Sequence, residues 1–153
     1  MAKRNNNLVF YILCTLLLFL GINGLTGGLM LIIKPDGSLL GMDPMWLEGS
    51  PFQDYIFPGL LLFAFLGVMP VFTFIGLIRH LTWRWLERFN LYGGIYWAWT
   101  FSIYVGLISI IWITVQLVLT QYFWIQPVII FIGIGILICS LSPQLMTRFK
   151  ISH

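Results

Sequence analysis

Charge is scarce in this chain and missing where it would matter most. Eight Lys/Arg and five Asp/Glu occur in 153 residues, and none falls inside four long apolar runs, Leu8–Ile33, Ile56–Ile78, Ile95–Thr120 and Trp124–Met146. A charge-free interior argues against a proton- or ion-coupled pump, which ordinarily needs an ionisable group within its spans. Histidine is equally thin. His80 and His153 both lie outside the runs, which excludes bis-histidine haem ligation inside a bundle. Cys14 and Cys139 are the only cysteines and form no CxxC pair. Disulfide-exchange chemistry is therefore excluded, and both thiols read as small apolar packing residues. No Gly-rich phosphate loop is present and no Ser-His-Asp set stands in plausible register, so no catalytic, metal-binding or cofactor-binding residue is assigned and no cofactor is called for.

What is present is apolar. Hydrophobic residues make up 59% and charged residues 8%, against about 25% charged in soluble domains. Each run exceeds the roughly 20 residues an α-helix needs to cross a bilayer core. The chain reads as an all-α integral membrane four-helix bundle. Residues 1–153 form a single transmembrane domain, with spans at about 8–33, 56–78, 95–120 and 124–146. The first run could be a signal peptide, but Gly21-Ile22-Asn23-Gly24 is not a small-x-small cleavage site, so a retained span is expected.

The flanking charges orient the bundle. Lys3 and Arg4, then Arg79, Arg84 and Arg88, then Arg148 and Lys150 fall on one side of a four-span chain. Lys34 stands alone on the other, with Asp36, Asp43, Glu48 and Asp54. Positive residues resist translocation, so both termini are expected in the cytoplasm. The net charge of +3 is then the product of these flanks, and nucleic acid is not a partner.

Small residues mark helix-packing faces. Gly21, Gly24 and Gly28 share one side of span one, in a GxxxG pattern that lets a second helix approach closely. Ser102, Gly106 and Ser109 share a face of span three, and Gly135 and Cys139 recur in span four. These faces serve either packing within the chain or self-association. Pro70 lies near the middle of span two and removes the hydrogen bond to the Leu66 carbonyl, so a kink is expected there. The link Gln121–Phe123 is short enough to make spans three and four antiparallel neighbours.

The first loop carries the clearest local signals. Lys34-Pro-Asp-Gly37 is a turn. Asp43-Pro44 is a cap followed by proline at the first helical position, which predicts a short interfacial helix through Met45–Glu48. Ser50-Pro-Phe-Gln53 matches a capping box and predicts that span two begins near Pro51. Further along, Gln116 and Gln126 lie at a depth similar to Asn23 and Thr26. The four are expected to form an outer polar cluster walled by Trp112, Tyr122 and Trp124, serving either as interhelical hydrogen bonds or as a small site for a lipid headgroup or neutral ligand.

The loop from Lys34 to Gly59, with Trp112-Ile-Thr-Val-Gln116 and Trp124-Ile-Gln-Pro127, resembles the corresponding parts of a widespread group of small four-span bacterial membrane proteins. The resemblance implies a bacterial inner-membrane protein and a compact bundle, and it implies no mechanism. Three functions remain open. The first is a non-enzymatic accessory or scaffold subunit beside a larger membrane protein or a second copy of itself. The second is a small oligomeric pore or carrier for a neutral or hydrophobic solute. The third is a binder of membrane lipids or a quinone-like ligand.

Overall fold

The computed structural model describes residues 2–83 and 85–151, with side chains described from Asn7 onward. Four principal helices account for it: α1 (Ala2–Ile33), α2 (Ile56–Arg79), α3 (Trp97–Leu119) and α4 (Ile125–Ser140), followed by a short α5 (Pro143–Arg148). The described residues contain no strand; an antiparallel bridge between Ile95 and Lys150 ties the loop before α3 to the end of the chain.

Three helices, Asn7–Ile33, Ile56–Arg79 and Trp97–Leu119, are long and apolar enough to cross a membrane. Their outward surfaces carry Phe19, Phe57, Phe65, Ile111 and Val118, all exposed. A helix that is apolar inside and out belongs in a membrane or a large core.

The fourth predicted span, 124–146, is broken. Helix α4 stops at Ser140, after 16 residues, or about 24 Å at 1.5 Å per residue. Ser142 then turns extended, and its Oγ accepts from the Leu145 N–H at 3.4 Å to start α5 with Pro143 at its first position. The Ser-Pro cap overrides an apolar run that otherwise reads as continuous.

Each helix touches the next around a closed ring. The glycine face of α1 seats against α2. A Cβ at Gly21 would stand 2.5 Å from Val71 Cγ2, and one at Gly28 would stand 2.6 Å from the Phe63 backbone N. A Cβ at Gly24 would fall on the Leu66 carbonyl itself. Helix α2 meets α3 where Gly76 accommodates Trp97. Helix α3 meets α4 where Gly106 and Gly133 each approach the other's carbonyl. Gly135 closes the ring, as its Cβ would stand 3.1 Å from Leu16 of α1.

At Pro70 the chain shows a π-helical stretch, Leu62–Val68, directly before the ring, and the Met69 N–H bonds back to Ala64. Proline withholds the donor that Leu66 would otherwise receive, and widening the helix is one response to such a gap. The widened stretch is the surface on which Gly24 and Gly28 rest.

The first loop turns at Gly37, with φ 77°, its N–H donating to the Lys34 carbonyl at 3.1 Å. Asp43 Oδ1 accepts from the Met45 N–H at 2.9 Å and caps a short 3₁₀ helix, Pro44–Leu47. Asp43→Ala is expected to cost about 1 kcal/mol, a melting-temperature loss of about 3 °C in detergent. The capping box at Ser50 does not start α2. Ser50 Oγ accepts from Phe52 only, and the helix begins at Ile56, whose N–H donates to Asp54 Oδ1 at 3.0 Å. The carboxylate sits nearer the first turn and is the stronger acceptor.

Candidate functional site: an apolar cavity beneath the first loop

The N-terminal half of α4, the C-terminal half of α3 and the first loop enclose a cavity of about 130 Å³. The loop supplies Leu40, Met42, Leu47 and Phe52. Helix α3 supplies Trp112, Val115, Gln116 and Leu119. The start of α4 supplies Ile125, Gln126 and Ile129. The capped 3₁₀ turn is what folds the loop inward. Leu47 and Tyr55 are buried against Leu31, and the Tyr55 hydroxyl donates to the Asp43 carbonyl at 2.8 Å. Burial, and then the Asp43 carboxylate, push the Tyr55 hydroxyl above its ordinary pKa, so it remains a donor.

No Asp, Glu, Lys, Arg or His lines this cavity. The Tyr55 and Thr120 hydroxyls on its lining donate to backbone carbonyls, whereas neutral N–H donors of three other side chains have no partner among the described residues. Gln126 is only 4% exposed, and its Oε1 accepts from the Phe123 N–H at 3.0 Å, so its NH₂ faces no protein acceptor among the described residues. The Gln116 side chain makes no hydrogen bond among the described residues, although its backbone carbonyl accepts from the Thr120 hydroxyl at 2.9 Å. The Trp112 indole N–H is buried with no acceptor among the described residues, a state that costs about 1–3 kcal/mol.

The four residues expected to cluster at this depth do not meet. Asn23 and Thr26 are both exposed on α1, where Asn23 Nδ2 donates to the Phe19 carbonyl and Thr26 Oγ1 to that of Ile22. They line a separate cavity of about 470 Å³ together with Trp124, on the far side of a wall shared through Leu40, Leu62, Phe123, Ile125 and Ile129. Gln116 and Gln126 stay on the α3–α4 side. Trp112 lines the first cavity, whereas Tyr122 lines neither and is exposed. Similar depth along two helices does not fix the direction each side chain takes around its axis.

The helix-packing residues are placed as a set of internal contacts. Ser102 Oγ lies 2.8 Å from Ser140 Oγ, and Ser109 Oγ donates to the Val105 carbonyl at 2.6 Å. Cys14 is buried and Cys139 half-buried, both as free thiols. Three further elements were not visible in the sequence: Gly67 on the widened stretch of α2, Gly133 facing Gly106, and Ser140 paired with Ser102.

Among the described residues no group of three His, Cys, Asp or Glu could hold a metal ion. No protein-family model, curated protein or solved structure matches the chain.

Proposed function

We propose that the chain is a non-enzymatic, four-span protein of the bacterial inner membrane, with both termini cytoplasmic, that binds one neutral, largely hydrocarbon molecule bearing a carbonyl oxygen. A quinone-like or ester-bearing lipid has this chemistry. The observation that carries the proposal is the apolar cavity with unpaired N–H donors on Trp112, Gln116 and Gln126. Apolar cavities of roughly 150 Å³ take hydrocarbon groups in preference to water. A carbonyl oxygen on the occupant would supply the acceptor that these donors lack, while a charged group would find no counter-ion.

The alternatives draw less support. The small faces that would recruit a partner or a second copy are filled within the chain, by α2 against Gly21, Gly24 and Gly28 and by Gly133 against Gly106. The Ser102 and Ser109 hydroxyls of α3 are spent on Ser140 and on the helix's own backbone, so they offer a pore or carrier no free polar row.

A thermal-shift titration in detergent tests the proposal. A short-chain quinone or a short-chain diacylglycerol, at a hundredfold excess over its Kd, should stabilise the protein by about 2.7 kcal/mol. Gln116→Leu should leave the unliganded melting temperature within a degree or so, because the side chain has no partner to lose, and should lower the ligand's stabilisation by about 1 kcal/mol, the scale of one neutral hydrogen bond. No shift with either probe would overturn the proposal.

A further inference from the structure

The opposite end of the bundle carries a second groove of different chemistry. It lies between the start of α1, the end of α2 and the last residue of α5, with a volume of about 480 Å³. Arg148 stands at one side, its Cζ 4.1 Å above the Phe10 ring, with Nη1 donating to Asn7 Oδ1 at 3.2 Å. His80 also lines the groove. It ends α2 in the left-handed conformation, φ 50°, and its ring lies 5.5 Å from that of Tyr96 and 5.8 Å from that of Phe149. Leu18, Phe74, Leu77 and Ile78 give the groove an apolar floor.

Among the described residues no carboxylate lines the cationic side of the groove. Four of the five acids, Asp36, Asp43, Glu48 and Asp54, belong to the loop at the far end of α1. The fifth, Glu87, accepts from Asn90 Nδ2 at 3.2 Å. A guanidinium has five N–H donors in a planar fork, and Arg148 spends one of them on Asn7. Its Cζ stands over the Phe10 ring, a cation–π contact that holds the group at the groove, and a guanidinium fork suits a phosphate oxygen pair.

We propose that this groove binds an anionic phospholipid, its phosphate on Arg148 and His80 and an acyl chain along Leu18, Phe74, Leu77 and Ile78. A cation at the mouth of an apolar groove matches a molecule that is anionic at one end and hydrocarbon at the other. The proposal rests on the membrane placement above and is independent of the cavity beneath the first loop.

Native mass spectrometry of the full chain in nonionic detergent, titrated with phosphatidylglycerol or phosphatidylcholine, tests it. Wild type should bind one phosphatidylglycerol about tenfold more tightly than phosphatidylcholine, and R148Q should lose about tenfold in phosphatidylglycerol affinity, the scale of one charged hydrogen-bond pair. R148K, which keeps the charge without the fork, should fall between them. K150Q removes an equal charge at the same end outside the groove and should bind as wild type does. Should R148Q not fold, wild type and K150Q still decide the matter. Equal retention of the two lipids, or equal losses in R148Q and K150Q, would overturn the proposal. Displacement of the lipid by millimolar inorganic phosphate would do so too, by showing a site for the free anion.

Discussion

Gly24→Ala is expected to cost roughly 3 kcal/mol, a fall in melting temperature of about 10 °C in detergent. The added methyl would land on the Leu66 carbonyl, with the Gly67 backbone N only 2.6 Å away. A flexible side chain can move aside, but here the neighbour is backbone, held in a helix that already accommodates Pro70. The contact is reciprocal, since a Cβ at Gly67 would stand 2.8 Å from the Leu25 N. Close backbone approach of this kind gives two helices their packing contacts when lipid supplies no hydrophobic drive. Gly27→Ala is the matched control. Its methyl would meet only Leu62 Cδ2, at 3.5 Å, an ordinary contact. It should be neutral, or stabilising by up to about 1 kcal/mol through helix propensity. Equal melting temperatures for the two variants would show that α1 and α2 do not meet through this face.

Trp99→Ala is expected to be at least as severe, about 3–5 kcal/mol. Trp99 is fully buried at the start of α3, and its Nε1–H donates to the Ser140 carbonyl at 2.8 Å. That carbonyl lies in the last turn of α4, where no helical N–H remains to satisfy it. The indole thus closes α4 at the point where the chain breaks toward α5. Trp97 makes the equivalent contact with the Leu81 carbonyl, at 2.7 Å, joining α3 to the loop after α2. Trp99→Phe keeps a six-membered ring but loses the donor and the rest of the indole, so it should cost less than Trp99→Ala, about 2–3 kcal/mol. Thermal melts of both variants show how much of the stability the six-membered ring alone retains. A Trp99→Phe melt as low as that of Trp99→Ala would show that the six-membered ring alone contributes no packing here.

Much of this architecture is legible in the residues. The apolar runs mark α1, α2 and α3 because length and the absence of charge are global properties that no local detail reverses. Asp43-Pro44 and Pro35-Asp-Gly37 are legible because a cap and a turn need only neighbours in sequence. Ser142-Pro143 carries the same kind of signal inside an apolar run, where Pro143 reads as the inner end or a late kink of the fourth span, and the helix does break there. The Gly24 contact is half legible. Its small face shows in the spacing, but its partner surface is a π-helical stretch whose cause, Pro70, points to a kink and not to a widened helix. Trp97 and Trp99 carry no signal in the sequence, because their acceptors are backbone carbonyls of Leu81 and Ser140, which no side-chain pattern announces. The cavity is legible through Trp112, Gln116 and Gln126, yet Asn23 and Thr26 stand apart from it because each bonds to its own helix.

The measurement that bears most directly on the cavity is native mass spectrometry of the chain extracted mildly from its own membrane, beside the variant Leu119→Trp, which fills the cavity from α3. One neutral, apolar, carbonyl-bearing molecule per chain, present in wild type and absent from the variant, is the predicted result. Wild type without such a molecule, a molecule retained equally by the variant, or a stoichiometric larger protein in its place would contradict the proposed function.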